Sequence, residues 1–159
     1  MKTTKSVLSL IVSLNILSCS FFTVSAAEPS DPNAPINTQY SSVTVSAGNS
    51  AYTSQTSTTS GNQTMCYMRL RKFQFSGYSE NYMPSGKYIY SRLYYYDVQP
   101  SPSGPVSSLA SFNHTTSPGN YNYSYTSSNG SSGNSYRLKT NSNYSVQYTA
   151  YFDWSANAY

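Results

Sequence analysis

Charged residues are scarce in this chain. Aspartate, glutamate, lysine and arginine make up 9% of its 159 residues, whereas aromatic residues make up 16% and include 18 tyrosines. Disordered chains usually show the reverse, with high charge and few aromatic residues, so the composition excludes an intrinsically disordered protein. The remaining polarity comes largely from serine, threonine and asparagine. Threonine and tyrosine favour β-strands over helices, so we expect exposed β-surfaces.

Cysteine is nearly absent, since the chain contains Cys19 and Cys66 alone. If an N-terminal secretory signal is removed, Cys66 remains and an intramolecular disulfide is excluded. A small secreted domain of this kind must be stabilised by its hydrophobic core. Exported bacterial proteins commonly have this character, so we expect a bacterial source.

The first 27 residues have the three parts of a secretory signal peptide. Lys2 and Lys5 provide the positive start, and residues 7–17 form an apolar run that is too short to cross a membrane as a mature helix. Small residues then precede a cleavage site after Ala26 or Ala27. We therefore predict a secreted, extracellular protein.

Lipid attachment at Cys19 is a second interpretation of this segment. An aliphatic residue, Ile16, stands three places before the cysteine, which resembles the lipid-attachment box of bacterial lipoproteins. Leu17 fits that box poorly, and apolar residues continue past the cysteine at Phe21 and Phe22. We therefore favour ordinary cleavage.

Loss of the signal peptide also lowers the net charge. Without Lys2 and Lys5, seven basic residues remain against five acids, so the formal net charge falls from +4 to about +2. So small a charge provides little long-range attraction to nucleic acid. We predict no nucleic-acid partner.

The mature chain is predicted to be all-β. Residues 28–41 are rich in proline and predict an extended N-terminal arm, and residues 42–159 predict one domain. The domain has seven or eight short alternating segments separated by proline, glycine, serine and asparagine turns, with no helical pattern. This spacing is typical of an antiparallel two-sheet sandwich, either Ig-like or jelly-roll-like.

Residues 144–154 carry the clearest strand pattern. Apolar side chains, among them Phe152 and Trp154, occupy the even positions, whereas polar side chains such as Asp153 occupy the odd ones. Alternate side chains of a strand face opposite ways, so the even positions should face a core and the odd ones water. We expect this strand to form a hairpin with residues 136–139.

A second clear strand covers residues 64–75. Cys66, Met68 and Leu70 share one face, so Cys66 is predicted to be a small buried hydrophobic residue. The apolar residues change face near Lys72, which predicts a β-bulge or a strand end there.

Residues suited to catalysis or metal binding are few. His114 is the single histidine and lies in a turn-like run, so we expect it to be solvated. Asp97 and Asp153 would form a carboxylate pair only if their strands were neighbours, with Glu80 joining from a loop. We predict no catalytic residue, no metal site and no cofactor, and hence a protein that is not an enzyme.

Tyrosine is the one enrichment that points to function. Its ring is rigid and apolar and its tip forms hydrogen bonds, which suits contact with sugars and proteins. We therefore predict a binding module for glycan, cell-wall or protein surfaces. The alternative that these rings fill cross-strand pairs or the core remains open. The candidate surface residues are Tyr88, Tyr90, Arg92, Tyr94, Tyr96, Tyr121, Tyr123 and Tyr125.

A secreted antagonist of other cells is the alternative function. Residues 42–59 are rich in serine and threonine and alternate weakly, like the inserting hairpins of pore-forming toxins, although a membrane stave needs a more apolar face. The small, secreted, cysteine-poor, tyrosine-rich and all-β character also resembles the lactococcin 972-type bacteriocins. The second resemblance implies a bacteriocin-like role, whereas the likeness of residues 42–59 to inserting hairpins implies pore formation with some membrane contact.

Overall fold

The computed structural model describes residues 31–96, 104–117, 119, 121–126 and 129–158. These residues contain nine strands and no helix. The strands are β1 (Gln39–Val45), β2 (Ser50–Tyr52), β3 (Ser57–Thr58), β4 (Met65–Phe75), β5 (Ile89–Tyr95), β6 (Ala110–Phe112), β7 (Asn122–Ser124), β8 (Ser135–Ser142) and β9 (Tyr148–Ser155).

Two antiparallel sheets form the fold. The four-stranded sheet has the order β1-β9-β4-β7, and the five-stranded sheet has the order β2-β8-β5-β6, with β3 paired to the beginning of β8. The apolar faces of both sheets supply the same hydrophobic core. The predicted antiparallel two-sheet sandwich is therefore confirmed.

β9 lies at the centre of the four-stranded sheet, between β1 and β4. Its even positions, including Phe152 and Trp154, are buried as the alternation predicts. The indole nitrogen of Trp154 donates a hydrogen bond to Oγ of Ser41 at 2.9 Å, so the one polar atom of this ring is satisfied inside the fold. β9 begins at Tyr148 rather than at residue 144, and residues 143–147 connect it to β8.

The predicted hairpin between residues 136–139 and 144–154 is wrong. β8 pairs with β2 and β5, whereas β9 pairs with β1 and β4 in the other sheet. Both strands have a buried face, with Leu138 on β8 and Phe152 on β9. The fold places these faces on opposite sides of one core rather than side by side in one sheet.

β4 contains the irregularity predicted near Lys72. Its pairing with β9 shifts register between Leu70 and Lys72, which is a β-bulge or similar irregularity. Leu70 before the shift and Phe73 and Phe75 after it are all fully buried. The shift therefore keeps the apolar side chains of a strand of 11 residues on the core side.

The segment before residue 60 differs from its expected outline. β1 begins at Gln39, within the range predicted as an extended arm, and Asp31 is buried at 3% exposure. Residues 42–59 are divided among β1, β2 and β3. Gly48, with φ of 72°, lies in the turn at which the chain passes from one sheet to the other.

Candidate functional site

The outer face of the five-stranded sheet gathers five of the predicted surface residues. Ile89, Ser91, Leu93 and Tyr95 of β5 are buried, and the alternate residues face away from the core. Tyr96 follows the strand and is 48% exposed. The other residues of this set, which are half-buried, are Tyr88, Tyr90, Arg92 and Tyr94.

β8 and β2 extend this face across the sheet. In the pairing of β5 with β8, Tyr94 lies opposite Arg137, Arg92 opposite Lys139 and Tyr90 opposite Asn141. Tyr52 of β2 lies opposite Lys139 on the other side of β8. We call this surface the outer tyrosine face and define it by Tyr52, Tyr88, Tyr90, Arg92, Tyr94, Arg137 and Lys139.

Aromatic rings hold the cations of the outer tyrosine face. The Arg137 guanidinium lies 3.8 Å from the ring centroid of Tyr52, and the Lys139 ammonium lies 5.2 Å from the centroids of both Tyr52 and Tyr94. The Tyr52 and Tyr94 rings meet edge to face at 5.6 Å and 87°. These cation–π contacts order the basic side chains while leaving their charge uncompensated.

A second ring pair belongs to the outer tyrosine face. Tyr88 and Tyr90 stack with centroids 6.0 Å apart and an angle of 19° between their planes. Between the rings and cations lies an open cleft of about 360 Å³, at the lower end of the size range of small-molecule sites. Its lining residues are Ser50, Tyr90, Ser91, Arg92, Tyr94, Leu109, Lys139 and Asn141.

The remaining predicted tyrosines lie elsewhere. Tyr121 and Tyr123 are partly buried beside and within β7, in the four-stranded sheet. Tyr125 is 7% exposed, and its hydroxyl donates to the carbonyl oxygen of Ala156 at 2.7 Å. The structure therefore corrects the prediction of Tyr125 as a surface residue, because its pairing with Ser107 brings it into the core.

A buried charge cluster lies on the outer side of the four-stranded sheet. The carboxylate of Asp153 is fully buried, 3.2 Å from Nη1 of Arg69 and 2.8 Å from Nε of Arg71. The first contact is a hydrogen bond, whereas the second has no hydrogen-bond geometry and acts through charge alone. Burial raises the pKa of Asp153 to about 6, against the opposing charges of Arg71 and Arg69.

Asp31 helps to cover this cluster. Its carboxylate accepts hydrogen bonds from the Tyr67 hydroxyl at 2.8 Å, from the backbone N–H of Asn33 at 2.9 Å and from that of Gly119 at 3.2 Å. Burial raises the pKa of Asp31, but these hydrogen bonds and the charge of Arg69 lower it further, so the pKa ends below its usual value. Asp153, predicted to face water, is instead fully buried in an ion pair with Arg69 and Arg71.

The other groups suited to catalysis are dispersed. Glu80 forms an ion pair with Lys72 at 2.5 Å, and His114 is exposed, with its Nδ1 2.7 Å from the carbonyl oxygen of Thr115. Cys66 is buried as predicted, and burial raises the pKa of its thiol to about 12. Asp97 lies outside the described residues.

Two further results concern metals and membranes. Within the part of the chain that the structure describes, no group of three histidine, cysteine, aspartate or glutamate side chains is placed to hold a metal ion. In the same part, no helix has the length and apolarity needed to cross a membrane.

The sequence prediction missed a loop cluster and part of the outer tyrosine face. Tyr78 and Tyr82 stack at 5.4 Å, and the hydroxyls of Tyr78 and Tyr144 share a hydrogen bond of 2.5 Å. No periodicity marks Tyr78 and Tyr82, whereas Tyr144 was expected at a core-facing position of the strand 144–154 and lies before β9 instead. Arg137 and Lys139 did show the outward parity of β8, but their position beside β5 depends on strand order.

Comparison with known proteins found no matching family model, no matching curated protein and no matching solved structure.

Proposed function

We propose that this protein is a secreted, non-catalytic binding module whose ligand-binding surface is the outer tyrosine face. One observation carries the proposal: three tyrosine rings and three cations from β2, β5 and β8, together with Tyr88 just before β5, lie on one side of one sheet. Four of these residues, Tyr90, Arg92, Tyr94 and Lys139, line an open cleft there. The ligand is a glycan or cell-wall polymer, with a protein surface as the alternative.

The placement of the rings supports this proposal. The core side of β5 and β8 is already filled by side chains such as Leu93 and Leu138, which are fully buried. The tyrosines of the opposite side are thus in excess of what the core needs. Tyr88 and Tyr90 present rigid apolar surfaces with a hydroxyl group, and a tyrosine loses the freedom of few rotatable bonds on binding. Tyr52 and Tyr94 instead order the cations beside them.

The order of the outer tyrosine face also favours binding. Except for Tyr88, the outer tyrosine face stands on paired strands, and ring contacts across strands (Tyr52 with Tyr94) and along β5 (Tyr88 with Tyr90) order it before any ligand arrives. A surface that is already ordered loses less entropy on association. A flat and rigid array of rings suits an extended ligand such as a polysaccharide chain.

Retention of the purified protein on immobilised glycans and on isolated bacterial cell walls tests the proposal. We expect Tyr90→Ala and Tyr94→Ala each to weaken retention by about tenfold, the equivalent of about 1.4 kcal/mol. Tyr40→Ala is the matched control, because Tyr40 is a 50% exposed tyrosine on β1 of the other sheet.

Two results would contradict the proposal. One is the absence of retention above background on every glycan, cell-wall and protein ligand. The other is an equal loss of retention for Tyr40→Ala and Tyr94→Ala, which would remove the outer tyrosine face from the binding surface. Unfolding midpoints of all variants exclude loss of fold as the cause.

A further inference from the structure

The cations of the outer tyrosine face break a rule of sheet pairing. Arg92 on β5 and Lys139 on β8 are direct cross-strand partners, and Arg137 stands two residues from Lys139 on the same face. Like charges directly opposite each other destabilise a sheet. A local arrangement that costs stability without a visible gain in the fold indicates a functional site.

No carboxylate compensates these cations among the described residues. Asp31 and Asp153 lie on the outer side of the other sheet, and Glu80 is paired with Lys72. Three of the seven basic residues that remain after signal removal are thus concentrated on one small surface. The low net charge of the chain conceals this local excess.

The two arginines also retain unused hydrogen-bond donors. Nε of Arg92 and Nε of Arg137 are buried atoms with no hydrogen-bond partner among the described residues. Leaving a buried donor unpaired costs free energy, and a donor on a charged group costs more than a neutral one. An anionic oxygen bound beside these guanidinium groups would compensate their charge.

The neutral groups beside the cations indicate what carries the anion. Ser50 and Asn141 line the same cleft as Arg92 and Lys139, and Tyr90 and Tyr94 line it as well. Hydroxyl and amide groups next to a ring match the hydroxyls and the apolar face of a sugar. A free inorganic anion would need neither the rings nor a cleft of about 360 Å³.

The rings are less suited to nucleobases. Proteins that bind single-stranded nucleic acid stack successive bases on open aromatic faces. Here Arg137 lies against the ring of Tyr52, and the Tyr52 and Tyr94 rings meet edge to face. Because these two rings already contact the cations, only Tyr88 and Tyr90 remain as rings of this face that a ligand can stack on.

From this arrangement we infer that the ligand is an anionic glycan, a polysaccharide with carboxylate or phosphate groups that are bound by Arg92, Arg137 and Lys139. This inference rests on the proposed function and names its ligand class. Carboxylate and phosphate provide the same chemistry for a guanidinium, namely paired anionic oxygens.

Binding is measured with four polymers: polygalacturonate, which carries carboxylates, poly(glycerol phosphate), neutral dextran, and a single-stranded oligothymidine. We expect binding to polygalacturonate or to poly(glycerol phosphate), whichever matches the natural ligand, weaker binding at 200 mM than at 50 mM salt, and none to dextran. Arg92→Gln and Lys139→Gln should each lower the affinity about tenfold or more.

Lys72→Gln is the matched control, because Lys72 is a cation of the other sheet with its own partner, Glu80. Its affinity should equal that of the unmodified protein. Since Arg92→Gln relieves a like-charge pair, its unfolding midpoint should be unchanged or higher while binding is lost. A lowered unfolding midpoint together with lost binding would instead indicate a structural role for Arg92 and overturn its assignment as a ligand-binding residue.

Failure of the inferred ligand class and failure of the proposed function give different results. If neutral glycans bind and neither Arg92→Gln nor Lys139→Gln changes the affinity, the proposed function stands and the anionic ligand class is wrong. If no glycan, cell wall or protein ligand is retained, both proposals fail. Tighter binding to the oligothymidine than to either anionic glycan would replace the glycan by nucleic acid and overturn the inference.

Discussion

Replacing Phe152 by alanine should lower the free energy of unfolding by about 3–5 kcal/mol. The ring is fully buried on the central strand β9, and its centroid lies 6.1 Å from that of Phe112 of the opposite sheet. The cost combines the lost transfer energy of the ring with the cavity that remains, because its neighbours are held by both sheets and close the space only in part.

This loss is large relative to the whole stability of a small domain, which is about 5–15 kcal/mol. The described strands contain no disulfide, since Cys66 is free, so no covalent link offsets it. The expected fall in the thermal midpoint is roughly 10–20 °C. Thermal and urea unfolding followed by circular dichroism measure the change, and the urea m-value should stay the same.

Tyr151→Ala is the matched control, because Tyr151 is the preceding aromatic residue of β9 and faces the other way. Its ring is half-buried and lies 5.6 Å from the ammonium of Lys72. Its loss should cost about 1 kcal/mol or less. An unchanged midpoint for Phe152→Ala, or equal losses for both variants, would refute the assigned register of β9.

Two further predictions concern backbone space and buried charge. A Cβ at Gly130 would stand 1.9 Å from the carbonyl oxygen of Gln63, so Gly130→Ala should lower the free energy of chemical unfolding by at least about 2 kcal/mol. Gly104→Ala is the control and should be nearly neutral, because no atom lies within 4 Å of a Cβ at that position. Equal effects of the two substitutions would contradict this packing. Burial raises the pKa of Asp153 from 3.8 to about 6, so the folded protein binds this proton more tightly than the unfolded chain does. The resulting stabilisation is complete below pH 3.8 and is lost as the pH rises through 6. Stability should therefore increase by about 1–3 kcal/mol from pH 7 to pH 4, and Asp153→Asn should remove that increase; the lowered pKa of Asp31 acts only below this window.

The alternation of side chains predicted most of the core. β5 and β9 bury one face against the opposite sheet, so a period of two in the sequence is a direct record of burial. The change of face near Lys72 was readable for the same reason, because a bulge must appear wherever the apolar residues change parity. Phe73 and Phe75 are buried because the bulge re-aims them.

The outward faces were less predictable. Arg69 and Asp153 have the parity of exposed residues but are buried, because Asp31 and the chain around Thr116 and Gly119 cover that side of the sheet. Nothing in the alternation of a strand records which distant segment lies over it. Asp153 and Arg69 tolerate that burial because they pair with each other, because Arg71 also faces the carboxylate, and because Arg69 donates to the carbonyl oxygen of Thr116.

The residues that β5 contributes to the candidate site were predictable, whereas those contributed by the neighbouring strands β8 and β2 were not. Tyr90, Arg92 and Tyr94 share a face by local geometry, which a sequence displays. Their neighbours Arg137 and Tyr52 reach them through strand pairing, which depends on the order of strands in the sheet. The same dependence explains why a hairpin of β8 and β9 was expected, whereas the two strands lie in different sheets.

The position of β9 has a consequence for how this chain folds. It is the last strand in sequence, yet it separates β1 from β4, so β1 has no partner in the four-stranded sheet until β9 has been added. The contacts that complete this sheet join residues more than 100 positions apart, as between Ser41 and Trp154. The entropy of closing such long loops is lost before the strand contacts form, so folding should be slow, in the millisecond to second range. The four-stranded sheet is therefore completed only when β9, the last of the described strands, is free to pair with β1 and β4.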